Sequence, residues 1–543
     1  MHLFVVCAIA FLIFGSGNSH TSPDWSKFIG LTLKWVNKKP CLDKVKNMFD
    51  FAYANYLQFA FPADELNPLN CSGRGHDHEH PGNLNVNDAL GDFHLTLVDS
   101  LDTLAIMGRV EEFKNAVNMV ISHLSFNRNV RVQVFEASIR ILGGLLSAHL
   151  LVTDPAQPFG NLRLNGYDGE LLQLAHDLAN RMLNAFDCCY CQLPQASPSG
   201  LPYPRFNLGS GLKDNTTSEA CLAGAGSLLL EFGCLSALLN DATYASISRR
   251  VVLDLWSRRS SVTGLLGATI DVNTGKWINR MSGIGAGHDS FYEYLHKTAV
   301  IFGDRQMGEM FEEALNTLRY HLRSLGSDCL TESGYPSVYW NVDMYTGNRV
   351  NFWIDTLQSA WSGVLVHHGD VSEAVCQHAL HYFIWQLFDL PPEREHSSIF
   401  RIFTDRCGFA TIHNVLDMSH EDRMESFFLS ETLKYLYLLF DDSNPVNLNE
   451  EDYVFSTQAH LFPIQRIRKL IENLVPNPFR TDNSRTRMDL HVANNTFSGG
   501  YEDEIFTRQT LMKIYKRKEL VYLFGIKSVR LRLPSTMKEL SSE

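Results

Sequence analysis

Apolar residues recur at intervals of three and four along most of the chain. That is the spacing of helices with one face turned inward. The pattern covers residues 45–57, 110–124, 135–151, 169–186, 222–239, 244–257, 290–302, 306–325, 353–368, 372–388 and 424–440. Glycine- and proline-rich joints separate these stretches at 160–163, 194–204, 283–287 and 389–392. Helices in series with short breaks predict packed helical hairpins. No strand–helix alternation of the kind a parallel sheet needs is visible, and no strict repeat. Beyond Pro463 the chain turns basic and irregular. Residues 464–543 are therefore expected to form a peripheral, partly irregular extension.

Composition narrows the class. A chain of 543 residues suits one large helical domain plus a tail. Its 45% hydrophobic and 20% charged residues are an ordinary globular balance with ample core. A net charge of −13 argues against a broad grip on nucleic acid. Residues 1–20 read as a secretory signal, with an apolar run from Leu3 to Phe14 and small residues at Ser16-Gly17-Asn18-Ser19. The run is too short to span a bilayer comfortably. No later window looks uninterrupted enough for a membrane anchor, since the best, residues 223–239, contains Glu231. A lumenal or secreted product is expected. Ten cysteines follow the signal, and several should pair in an oxidising compartment, with a connectivity that spacing leaves open. Sequons at Asn70, Asn215 and Asn494 fit the same route. The C-terminus is not a KDEL-type signal, so retention would need another device.

Five segments carry chemistry. In Phe135-Glu136-Ala137-Ser138-Ile139-Arg140, Glu136 opens a helix and Arg140 lies one turn on. Taken alone, that pair also reads as a salt bridge on a wet surface. Asp99 and Asp102 stand three apart, on one helix face. Ser282-Gly283-Ile284-Gly285-Ala286-Gly287-His288-Asp289 brings a pliant backbone up to an acid that opens the next helix. No strand precedes those glycines, which argues against a nucleotide loop. Phe427 and Glu431 lie four apart in Arg423-Met424-Glu425-Ser426-Phe427-Phe428-Leu429-Ser430-Glu431, and Phe455-Ser456-Thr457-Gln458-Ala459-His460 follows. Two other clusters read as bland. His76-Asp77-His78-Glu79-His80 lacks an HExxH spacing and suits a solvated loop. Cys188-Cys189-Tyr190-Cys191 contains a CxxC, but in a loop, which favours a structural disulfide.

In this order the segments resemble glycoside hydrolase family 47, the α-1,2-mannosidases. Within it the chain is most similar to the ER degradation-enhancing α-mannosidase-like proteins. The distinguishing stretches are Leu66-Asn67-Pro68-Leu69-Asn70-Cys71 with Gly73-Arg74, Leu201-Pro202-Tyr203-Pro204-Arg205, and Glu421-Asp422-Arg423-Met424-Glu425. The resemblance implies an all-α fold, an (αα)7 barrel of helical hairpins, filling residues 21–463. It implies inverting removal of terminal mannose, in which an acid protonates the leaving oxygen and a base activates water. Glu136 would be the acid and Asp289 a base candidate, with Glu431 in the catalytic set. Arg140 and Phe427, beside Glu431, would line the sugar pocket. A calcium ion, Ca2+, would sit on oxygens of Thr457. Expected partners are high-mannose N-glycans on misfolded glycoproteins in the endoplasmic reticulum lumen, and a protein disulfide isomerase-type oxidoreductase. Nucleic acid is not among them, nor is a transmembrane anchor.

Two positions depart from the family pattern. Gln458 stands where the family has Glu in a Thr-Glu-Ala/Gly-His motif. The family's Arg-Pro-Glu segment, which carries the other base candidate on a helical hairpin, is also absent. Pro392-Glu393-Arg394 runs almost directly into Cys407-Gly408-Phe409-Ala410-Thr411. The barrel is therefore expected to be one hairpin short. Three readings stay open: a splice or gene-model variant of an active enzyme, a pseudoenzyme binding glycan or client, and a hydrolase with Asp289 as its sole base.

Overall fold

The computed structural model describes residues 38–186, 199–212, 217–324, 337–388, 398–404, 406–414 and 419–480. The signal segment, the Cys188–Cys191 cluster, the sequons at Asn215 and Asn494, Pro392-Glu393-Arg394 and the tail beyond residue 480 lie outside that set.

Two classes of helix arise from two apolar patterns. Helices α1 (Lys38–Asn55), α4 (Val110–His123), α6 (Glu170–Met182), α8 (Thr243–Ser257) and α10 (Arg305–His321) bury one stripe and wet the other. The helices between them are buried nearly all round. These are α2 (Leu95–Asp99) with α3 (Leu101–Ile106), α5 (Val134–Val152), α7 (Leu222–Leu239), α9 (Asp289–Phe302), α11 (Trp361–His368) and α13 (Leu433–Phe440). The first class forms an outer ring, with α12 (Val371–Phe388), and the second an inner ring. Each inner helix packs on an outer one: α3 on α4, α5 on α6, α7 on α8, α9 on α10, α11 on α12 and α13 on α1. The described residues thus form six pairs of an all-α barrel.

Inner neighbours pack in turn from the π-helical segment Phe428–Thr432 before α13, through α2–α3, α5, α7 and α9, to α11. Among the described residues no packing of comparable extent joins α11 to α13. The strands Ser398–Thr404, Phe409–Asn414 and Ser419–Glu421 occupy this stretch of chain, paired antiparallel.

Short antiparallel strands lead into the inner helices. Arg131–Gln133, paired with Arg205–Asn207, runs into α5, and Glu219–Cys221 runs into α7. Met281–Ser282, paired with Val342–Asp343, leads toward α9. The hairpin Tyr453–Phe455/Leu461–Pro463 is different. Ser456, Gln458, Ala459 and His460 at its tip are all buried. Gly143 makes room on α5, since a Cβ there would lie 2.8 Å from the His460 ring.

The stretches that set the sequence apart interlock. Cys71 and Cys407 form a disulfide. Arg423 grips Glu65 at 2.6 Å, and Asp422 accepts from Leu69 N at 2.7 Å. Arg205 makes two bonds to Asp88, at 2.6 and 2.5 Å.

Several boundaries depart from the periodicity. The apolar run 353–368 begins in a loop and turns helical only at the 3-10 segment Thr356–Ala360. The run 424–440 opens as a π-helix at Phe428, and 306–325 ends at His321. Beyond Pro463 the chain first forms a helix, α14 (Ile464–Glu472), packed on α7 and α9. The expectation of no second apolar span also needs correcting: Val134–Val152 and Leu222–Leu239 are long and apolar enough to cross a membrane. Both stand in the inner ring, with 83% of each window buried by the barrel.

Candidate active site

The inner helices begin at one end of the barrel, and the predicted residues gather there. Glu136 is in the first turn of α5, Asp289 is the first residue of α9, and Phe427 directly precedes the π-helix that contains Glu431. Arg140 Nε bonds Glu136 Oε2 at 2.6 Å. Its guanidinium carbon lies 5.8 Å from the centre of the Phe427 ring, and Nη1 reaches Ser426 Oγ at 3.2 Å. Arg140 and Glu136 side chains keep only 13% and 21% of their exposure. The wet-surface reading of this pair is therefore corrected: it is a sheltered wall. A π-helical segment, Ala137–Leu142, starts directly after Glu136. Such widened turns re-aim side chains and are frequent at functional sites.

Asp289 opens α9, which follows α5 and α7 around the inner ring. Burial drives its carboxyl up to about 7, helped by the neighbouring carboxylates of Glu293 and Asp355 and opposed by the Ser290 N–H. A carboxyl poised near neutrality is suited to proton transfer. Cys221, at the start of α7, lies near both acids. Burial raises its thiol, and the charges of Asp289 and Glu136 raise it further.

The hairpin tip forms the floor. Gln458 Nε2 donates to Asp99 Oδ2 at 2.9 Å, and the same oxygen accepts from Ser426 and Ser430 at 2.6 and 3.0 Å. His460 lies 3.2 Å from Asp99 Oδ1 and 3.3 Å from Asp102 Oδ2. Burial works against its charge, but Asp102 and Asp99 outweigh it and raise His460 to about 9. Lys434 Nζ bonds Asp102 Oδ1 at 2.7 Å and Ala459 O at 2.6 Å. Burial also works against the Asp102 charge, yet Lys434 and His460 hold the carboxyl far below its usual range. Lys297, paired with Glu293 at 2.5 Å, also donates to Phe455 O.

Thr457 donates its N–H to Tyr294 Oη at 3.3 Å, and that hydroxyl donates to Glu231 Oε1 at 2.6 Å. Burial raises Glu231 to about 8 despite the Tyr294 bond. Glu231 Oε2 and Glu293 Oε2 are buried without a hydrogen-bond partner. Among the described residues no three His, Cys, Asp or Glu side chains converge as a metal cage. The donors around Thr457 are nevertheless oxygens, and two carboxylate oxygens lack partners. That chemistry fits a hard cation with a shell completed by water or hydroxyls.

Periodicity alone passed over Glu293, Cys221, Asp355 and Ser426. Glu231 had a signal, as the lone acid in an apolar run. The His76–His80 segment is an ordinary surface loop, with Asp77 accepting from His80 N at 2.9 Å and His78 beside Asp92 at 2.9 Å.

The model of glycosyl hydrolase family 47 matches residues 48–398 and 394–464. The chain belongs to glycosyl hydrolase family 47. It is 37% identical over 509 residues to ER degradation-enhancing alpha-mannosidase-like protein 1 of Schizosaccharomyces pombe, covering 86% of this chain and 61% of that one. Human ER degradation-enhancing alpha-mannosidase-like protein 3 is 35% identical, covering 78% of this chain and 48% of the relative. Alpha-mannosidase I MNS5 of Arabidopsis thaliana is 37% identical, covering 81% and 79%. The chain thus spans about half to three-fifths of the length of the first two. An alpha-1,2-mannosidase from Trichoderma reesei has the same fold, with a TM-score of 0.63 at 23% identity, covering 78% of this chain and 99% of that one. The family fold is the (αα)7 barrel. The two matched pieces of the family 47 model meet at residues 394–398, in the stretch that follows α12.

Proposed function

We propose that this family 47 chain trims α-1,2-linked mannose from N-glycans of misfolded glycoproteins in the endoplasmic reticulum lumen, by inverting hydrolysis. The observation that carries the reading is Asp289, a carboxyl held at about 7 that shares with Glu136 the neighbour Cys221, whose thiol feels both charges. Glu136 protonates the glycosidic oxygen as the bond to the sugar carbon breaks. Asp289 takes a proton from a water that attacks the same carbon from the other face. Such a pair stands about 6.5–9.5 Å apart, leaving room for the water. Arg140 fixes Glu136, Phe427 offers a ring to the apolar face of a hexose, and Glu431 accepts from its hydroxyls. Thr457, with Glu231 and Glu293 nearby, would hold a calcium ion, which would supply a hard positive centre for sugar hydroxyls. The same lumenal setting makes a disulfide isomerase-type oxidoreductase a fitting partner, and the Cys71–Cys407 bond supports an oxidising compartment.

A second reading, a glycan-binding protein without turnover, is favoured by the stretch after α12. Only residues 389–397 lie between α12 and the next strand. Nine residues are too few for two packed helices, so the Arg-Pro-Glu hairpin has no room. One experiment separates the two. Purified chain is incubated with high-mannose oligosaccharide, with calcium or with chelator, beside a Glu136→Gln control. Calcium-dependent mannose release that vanishes in the control supports the hydrolase. Retained glycan binding without release sinks it and leaves the binding protein.

A further inference from the structure

The rim beside Asp289 carries aromatic side chains that the proposed chemistry does not use. Phe352 is 70% exposed and Trp353 49%. Both are large, apolar and costly to leave in water without a purpose. They lie in the loop between Val342–Asp343 and the 3-10 segment Thr356–Ala360. Trp340 meets Phe352 edge to face, with centroids 5.5 Å apart. Arg349 lies over the Trp340 ring at 5.1 Å, and Arg280 over the exposed Tyr345 ring at 5.4 Å.

This surface is fastened to the catalytic wall. Trp353 N donates to Asn351 Oδ1 at 3.2 Å, and the same oxygen accepts from Asn341 Nδ2 at 3.1 Å. Asp355 caps the following turn through Gln358 N at 3.0 Å and packs against Gly285. A Cβ at Gly285 would lie 2.3 Å from Asp355 Oδ2, so the Asp355 carboxylate rests directly on the Gly285 backbone. Gly285 O in turn accepts from Asp289 N at 3.0 Å. The aromatic rim and the candidate base are thus parts of one rigid corner.

The chemistry of the rim selects its occupant. Guanidinium groups and asparagine amides flank the rings, and Val350 and Leu357 add smaller exposed apolar side chains to the same stretch. Flat rings flanked by fixed donors suit ligands with apolar faces and hydroxyl edges, which is what hexoses present. We propose that Phe352, Trp353 and Tyr345, with Arg280 and Arg349, form an outer sugar platform that holds mannose residues of a branched oligosaccharide beyond the one inside the barrel. The proposal rests on the glycan reading of the site and adds where the rest of the glycan lies.

The test uses the full chain in a Glu136→Gln background, so that ligand is not consumed. Calorimetry compares a branched high-mannose oligosaccharide with α-1,2-mannobiose, on this background and with Trp353→Ala or Trp353→Tyr added. The expected loss for Trp353→Ala is about tenfold larger on the oligosaccharide than on the disaccharide. Trp353→Tyr, which keeps a ring, should recover most of it, and thermal melts check that both variants fold. Equal losses on the two ligands, or none, would overturn the platform while leaving the pocket intact. If Trp353→Ala instead abolishes binding of an unglycosylated unfolded polypeptide and spares the oligosaccharide, the rim is a polypeptide dock and the proposal fails. No binding of either sugar before Trp353 is changed overturns the glycan reading, and the platform with it.

Discussion

Asp289 and Lys434 show how burial is used for opposite ends. Asp289 is buried, with the carboxylates of Glu293 and Asp355 nearby, so its carboxyl rises to about 7. If it is the base, it works only when ionised, and the rate should climb as pH passes through about 7. A pH–rate profile measures this, and Asp289→Asn should lower the rate by about 10²–10⁴-fold and remove the rising limb. A limb that survives the substitution would assign the proton elsewhere. Lys434 instead is fully buried against Asp102 and Ala459 O. Lys434→Met leaves the Asp102 carboxylate short of its strongest counter-charge. The expected cost is about 3–5 kcal/mol of unfolding free energy, measured by denaturant titration. A cost below about 1 kcal/mol would mean that His460 alone suffices.

The hairpin Tyr453–Phe455/Leu461–Pro463 is a few residues long, yet its tip bonds to α2, α3, α5, α9 and α13. Its charge state should govern the stability of the inner ring. His460 has a folded value near 9, against about 6.5 when unfolded. Its contribution is fully present below pH about 6.5 and is lost as pH rises through about 9. His460→Gln should flatten the fall in melting temperature across that window, and an unchanged slope would rule the histidine out as its source. The sequence exposed the helices around this hairpin because their apolar spacing is local. Glu136 with Arg140, and Phe427 with Glu431, were legible for the same reason, as neighbours within one helical turn. Ser426 meeting Asp99, or Asp355 packing on Gly285, could not be read that way, since each pair joins segments far apart in sequence. The π-helical turns after Glu136 and Phe427 were also hidden, because one extra residue per turn barely disturbs an apolar stripe.

A ring of helical pairs is stable because each inner helix has two inner neighbours and an outer one. Among the described residues α11 has α9 and α12, but no comparable packing from α13. On the α9 side, Glu293, His296, Lys297 and His367 line a cavity of only about 10 Å³. On the α13 side, Phe409, Glu425, Phe427 and Phe428 line another of about the same 10 Å³. Burial raises Glu425 to about 7 against the pull of Arg423, and its Oε2 has no hydrogen-bond partner. A buried carboxyl oxygen without a partner on the flank of the gap costs stability. The barrel should therefore open first at this seam. Hydrogen exchange should find amides of α11 and of residues 371–382 far less protected than those of α5 and α7, which sit inside the continuous part of the ring. Grafting a helical pair carrying Arg-Pro-Glu between residues 388 and 398 should raise protection at α11 and increase mannose release together. A rise in protection with no gain in mannose release would separate the two roles and leave the seam a matter of stability alone. Equal protection of all inner helices before grafting would show that the strands Ser398–Thr404 and Phe409–Asn414 already close the ring.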